Sequence, residues 1–150
     1  MNEVQLRRSG QRLALAAYVK LMRAANSARN VAARQLTESG LTLTQFAVLE
    51  ALYHLGPMSL SDLAQKVLTT GGNLTMVVGN LEKQGLAARQ RSPEDGRILI
   101  VVLTPKGKNL IRHLFPEHAS AIFDFMNSLS PEEQKRLGDL CRKLGTRRED

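Results

Sequence analysis

Apolar residues along this chain change their spacing as it proceeds, and the changes lay out its elements. From Gln11 to about Leu36 there is neither proline nor glycine. Within that stretch Leu13, Ala17, Leu21, Ala24, Ala28 and Ala32 recur every three or four residues. This spacing predicts one long amphipathic helix. Glu38-Ser39-Gly40 breaks it. A second helix is expected from Thr42 or Thr44, either of which can cap it, with Phe46, Leu49, Leu52 and Tyr53 as its apolar face and Gly56-Pro57 as its stop. Ser59 to Asp62 offers caps for a short third helix carrying Leu63, Ala64 and Val67. Thr69 to Gly72 then turns into a fourth, from Thr70 as N-cap to Gln84, with Gly85 placed to end it.

After Gly85 the pattern switches to extended segments. Ala87–Arg91 and Ile98–Leu103 are too short for typical helices, and the second is rich in β-branched residues. Ser92-Pro93-Glu94-Asp95-Gly96-Arg97 joins them as a polar hairpin tip. Thr104-Pro105 opens a fifth helix, which Pro116 is expected to kink or interrupt. Ser130-Pro131-Glu132-Glu133 starts a sixth, carrying Leu137, Leu140, Cys141 and Leu144, and Thr146–Asp150 is expected to fray. The order is that of a mainly α protein with a small β-hairpin wing (α+β), a winged helix-turn-helix. Residues 1–150 read as one domain, with the head at 40–104. The flanking helices, 11–36 and 105–147, are too apolar for free surface helices. They pack on each other within one chain or form a bundle between two chains.

The fourth helix carries the candidate chemistry. Leu74, Val77, Val78 and Leu81 fall on one side at helical spacing, while the other presents Gly72, Met76, Gly79, Asn80 and Lys83, flanked by Asn73 and Thr75. A small, polar outer face can enter a major groove. There asparagine pairs with adenine, and threonine or methionine meets a thymine methyl. The same face also suits an ordinary surface helix. Arg89, Arg91 and Arg97 flank or occupy the hairpin tip, and a guanidinium on a narrow tip can enter a minor groove. Asp95 stands close enough to hold Arg97 in place.

Composition narrows the partners. The net charge is +7 with a pI near 10.1, a balance that favours polyanions. The basic residues of the first helix, Arg12, Lys20, Arg23, Arg29 and Arg34, suit a solvated face as well as attraction to phosphate. A single cysteine, Cys141, excludes an intramolecular disulfide or a cysteine-rich zinc site; its apolar helical face predicts a buried, inert thiol. His54, His113 and His118 lack the spacing of a metal pair, so no metal or cofactor is expected. No nucleophile–base set or phosphate loop argues for an enzyme. The segment after Arg7 and Arg8 is broken by Lys20 and Arg23, and no run of about 18 uncharged apolar residues occurs. A soluble, cytoplasmic protein with no membrane partner is expected.

The chain resembles the MarR family of winged-helix transcription regulators from about Gly40 to Glu133. The resemblance rests on Leu43-Thr44-Gln45-Phe46-Ala47-Val48-Leu49, on Leu63-Ala64 and on Asn80-Leu81-Glu82-Lys83-Gln84-Gly85-Leu86. It continues through Asp95-x-Arg97 and Leu103-Thr104-x-x-Gly107. It implies a homodimer on a double-stranded, pseudo-palindromic operator, most often a repressor. Thr70, Gly72, Asn73, Thr75, Met76 and Asn80 would read the major groove, with Arg89, Arg91, Asp95 and Arg97 at the wing. Many relatives carry a basic residue at Met76 and a second arginine at Gly96. The family also commonly answers to small aromatic or phenolic compounds or to oxidants. Gly71 to Met76 is similar to a branch that includes regulators of quinone-detoxification genes. An effector pocket is expected between head and dimer helices, with Tyr18, Met22, Phe46 and Tyr53 as candidate lining. The alternative is a winged-helix protein-interaction module without DNA binding, suggested by the weakly basic fourth helix.

Overall fold

In the computed structural model, which describes residues 3–67 and 71–145, the elements run α1 (Glu3–Arg34), α2 (Leu43–Leu55), β1 (Met58–Ser59), α3 (Leu60–Val67), α4 (Gly71–Lys83), β2 (Ala87–Arg91), β3 (Leu99–Leu103), α5 (Pro105–Met126) and α6 (Pro131–Gly145). The first helix starts well before Gln11. A glycine inside a helix costs about 1 kcal/mol relative to alanine, and Gly10 is too small an obstacle among the good helix formers around it. A 3-10 turn at Thr37–Ser39 and a left-handed Gly40 (φ 70°) end this segment.

Thr42, of the two threonines expected to cap α2, is the one that does so. Its hydroxyl accepts from the Gln45 N–H at 3.1 Å, and the Gln45 side chain accepts from the Thr42 N–H at 2.9 Å. This reciprocal pair satisfies two helix-end donors at once. Ser59 caps α3 by accepting from the Asp62 N–H. It also belongs to β1, a third strand that the hairpin pattern did not predict. Met58 pairs with Val101 and Ser59 with Ile100, giving an antiparallel sheet ordered β1-β3-β2. Pro116 interrupts nothing: α5 runs through it. The hydrogen bond it removes falls on the exposed side of the helix, where water can take the freed carbonyl.

The chain divides into two compact units, residues 32–119 and residues 1–31 with 120–150. The first is the head. Its core joins Leu36, Phe46, Leu49, Leu63, Leu74, Val78, Leu81, Val101 and Ile111, from all its helices and the central strand. The end of α4 is tied down in several ways. Gly85 is left-handed (φ 71°), with its N–H on the Glu82 carbonyl and the Leu86 N–H on the Leu81 carbonyl, the 5→2 and 6→1 bonds of a Schellman cap. The Thr104 hydroxyl donates to the Gly85 carbonyl at 2.6 Å, and Lys106 Nζ to the Gln84 carbonyl at 2.8 Å. Gly107 packs so closely that a Cβ there would collide with the Leu86 carbonyl.

The second unit is helical. Ser130 and Glu133 form a capping box at the start of α6, and the Gln134 amide donates to the Met126 and Leu129 carbonyls. Large apolar side chains stand exposed here: Leu13, Tyr18 and Met22 on α1, Phe123 on α5, Leu140 and Leu144 on α6. Cys141 is exposed with them, not buried as its apolar face predicts, because nothing among the described residues covers that face. No helix among the described residues is long and apolar enough to cross a membrane.

Candidate nucleic-acid interface

Leu74, Val77, Val78 and Leu81 are buried, and they fix which side of α4 looks outward. Gly72, Asn73, Thr75, Met76, Asn80 and Lys83 are exposed. Met76, at 61% exposure, is the bulkiest apolar group offered there. Thr70 lies outside the described residues. Asn80 contributes its carbonyl to the Gln84 N–H and side-chain amide, so its backbone belongs to the helix end while its side chain faces out.

The three arginines of the wing do different things. Arg97 sits at the tip with its side chain 90% exposed. Asp95 Oδ1 accepts from the Arg97 N–H and Nε, and Oδ2 accepts from Nη2 at 3.1 Å. These bonds hold the Asp95 carboxyl below its ordinary pKa. The guanidinium stays exposed at the tip while so held. Arg91 donates to the Gly96 carbonyl at 2.6 Å and braces the tip from its base. Ser92 closes the loop, its N–H on the Ile98 carbonyl and its hydroxyl accepting from the Glu94 and Asp95 N–H groups. Arg89 turns back onto α4. Its Nη2 lies 2.7 Å from Glu82 Oε2, and hydrogen bonding to Arg89 lowers the Glu82 pKa.

Sequence patterns assign Glu82 no partner and treat His118 only as a metal ligand that lacks a mate. Glu82 and Arg89 are seven residues apart, and only the completed helix-to-strand turn brings them together. The burial of His118 was legible, since it continues the apolar stripe of Leu114 and Ile122 at i+4 spacing. It lies inside the head, its ring 4.4 Å from that of Phe46, and its Nδ1 has no hydrogen-bond partner among the described residues. Burial lowers its pKa, against an opposing pull from Glu50. Of the four residues singled out for an effector, Phe46 is core at 1% exposure. Tyr53 is half-buried beside a groove of about 250 Å³ shared with Leu52, Val102 and Lys108. Tyr18 and Met22 are exposed on α1. No metal-holding cluster occurs among the described residues.

Comparison with known proteins places this geometry. The MarR family model matches residues 39–98, the span from Gly40's turn through the wing tip. The HTH-type transcriptional regulator MhqR of Bacillus subtilis is 35% identical over 128 residues, which cover 85% of this chain and 88% of that protein. The chain belongs to the MarR family. Solved MarR-type structures superpose over most of it. BpsR of Bordetella bronchiseptica, whose DNA binding is regulated by 6-hydroxynicotinic acid, gives a TM-score of 0.77 at 28% identity, covering 85% of this chain and 91% of that one. Sco3205 of Streptomyces coelicolor, a MarR family regulator solved in complex with DNA, gives 0.78 at 27%, covering 91% and 86%. This MarR-family chain is accordingly a DNA-binding transcription regulator, and its relatives are regulators, not enzymes.

Proposed function

We propose that this MarR-family regulator is a cytoplasmic homodimer that represses its target genes. In this reading it binds a pseudo-palindromic operator and lets go when a small aromatic, phenolic or quinone-like compound binds. The DNA-reading assignment is carried by one observation: an exposed, small and polar face of α4 stands in the same unit as a wing tip whose exposed Arg97 is braced by Asp95. Asn73, Thr75, Met76 and Asn80 read bases in the major groove, and Arg97 enters the adjacent minor groove. The homodimer is supported by the exposed leucines, tyrosine and phenylalanine of the helical unit. Apolar area on that scale is normally covered by a partner. Two heads then address half-sites about 34–36 Å apart, one turn of the duplex.

The effector assignment draws on the groove of about 250 Å³ beside Tyr53 in the head. Leu52 and Val102 give it apolar walls and Lys108 a cation, a combination that suits a flat ligand bearing a hydroxyl or carboxylate. BpsR, with its 6-hydroxynicotinic acid, is a relative in which such a ligand controls DNA binding. Tyr18 and Met22 are further candidates, to be tested by substitution.

Genome-wide capture of the DNA bound by this protein, repeated with added phenols and quinones, tests all of this. The expected result is a set of inverted-repeat sites beside repressed genes, with occupancy lost on adding one of these compounds. Sites without two-fold symmetry contradict the dimer on DNA. Occupancy that none of the compounds alters contradicts the effector class.

A further inference from the structure

We infer that Glu82 and Arg89 form a positioning clasp that sets the wing against the reading helix, so that Arg89 serves DNA recognition without touching DNA. The inference rests on α4 and the wing being the DNA-contacting surfaces. Glu82 lies on the last turn of α4 and Arg89 in the middle of β2. Three N–H groups of Arg89 converge on the one carboxylate: the backbone N–H on Oε1 at 2.8 Å, Nε on Oε2 at 3.1 Å and Nη2 on Oε2 at 2.7 Å. A fork of this kind fixes orientation as well as distance.

The backbone bond is the informative one. β2 is the edge of the sheet, so the N–H groups on its outer side have no strand partner. Glu82 takes the one at Arg89. Arg89 is also in register with Val101, a core residue of β3. Whatever holds Arg89 therefore holds the hairpin. The guanidinium lies along the flank of α4, with Nη2 3.9 Å from where a Cβ of Gly79 would stand. The side chains of Arg89 and Glu82 are 31% and 28% exposed, against 90% for Arg97. The Asp95–Arg97 pair lies within the wing tip; the Glu82–Arg89 pair joins two elements.

Charge and geometry predict opposite outcomes for one substitution. Glu82→Gln removes a negative charge beside a phosphate-binding surface and loosens Arg89. If Arg89 were a phosphate ligand, affinity would rise for any duplex. As a clasp, its loosening weakens only the binding that needs α4 and wing in register. The probes are a duplex selected by the unmodified protein from a random-sequence pool and a scrambled duplex of equal composition, read by fluorescence anisotropy on the full-length protein. Glu82→Gln is expected to weaken the selected duplex roughly three- to tenfold and to leave the scrambled duplex unchanged or slightly tighter. Arg89→Lys keeps the charge but not the fork. It is expected to match Glu82→Gln, with the double variant no weaker than either, and it carries the test should Glu82→Gln lose helix content by circular dichroism. Tighter binding to both duplexes, or an unchanged ratio between them, overturns the clasp. Arg97→Ala, run in parallel, separates the two claims: if it too leaves the selected duplex unaffected, the assignment of the DNA-contacting surfaces has failed, and not the clasp alone.

Discussion

His118 sits in the head with its ring against Phe46 and with Nδ1 unpartnered among the described residues. A buried imidazole is costly to charge, so burial lowers its pKa from the ordinary 6.5 although Glu50 opposes the shift. The consequence for stability has a definite sign. Below pH 6.5 the unfolded chain takes up a proton that the folded head resists, so stability is full above that pH and declines as pH falls beneath it. Replacing His118 with Phe removes the titrating group and keeps an aromatic ring on Phe46. Urea denaturation midpoints measured at about pH 7 and about pH 5.5 are expected to differ less in His118→Phe than in the unmodified protein. An equal difference in both would show that another group carries the dependence.

Among the elements, the junction of α4, β3 and α5 is the most tightly specified. Gly107 lets the first turn of α5 lie on the backbone after α4; a Cβ there would meet the Leu86 carbonyl oxygen, with the carbonyl carbon at 2.9 Å. Alanine would gain about 1 kcal/mol in helix propensity, but forcing backbone apart typically costs about 1–3 kcal/mol or more. Gly107→Ala is expected to lower the melting temperature by a few degrees, roughly 2 or more for a chain of this length; an unchanged or higher value would contradict the close packing. The sequence announced the start of α5 through Thr104-Pro105, the start of α2 to within Thr42 or Thr44, and the buried side of α4 through Leu74, Val77, Val78 and Leu81, because caps and helical periodicity are local signals. What it withheld was non-local. A two-residue strand such as β1 has no periodicity, and its pairing with β3 is made only by the fold. The contacts of Arg91 with the Gly96 carbonyl and of Arg89 with Glu82 are likewise made only by the completed hairpin and helix-to-strand turn. Cys141 reads as buried because an apolar helix face says that something covers it, without saying that the cover is absent from a single chain.

At the scale of the whole molecule, the two units contrast in what they bury. The head has a closed aliphatic core, and the helical unit leaves Leu13, Phe123, Leu140 and Leu144 in the open. In the proposed dimer every protein–DNA interaction counts twice, once per head, which makes a single wing arginine a strong lever on DNA binding. The positive charge of the chain, +7, supplies attraction to any duplex. In the proposed reading, selection among duplexes falls to α4, with the wing fixing its depth and register. The most direct test of this account is Arg97→Ala on a duplex selected by the unmodified protein, with affinity followed by anisotropy across a range of salt concentrations. Binding is expected to be at least roughly tenfold weaker, and a plot of log affinity against log salt shallower by about 2, because each of the two heads then neutralises one phosphate fewer. Unchanged affinity and slope, with the fold intact by circular dichroism, would contradict it.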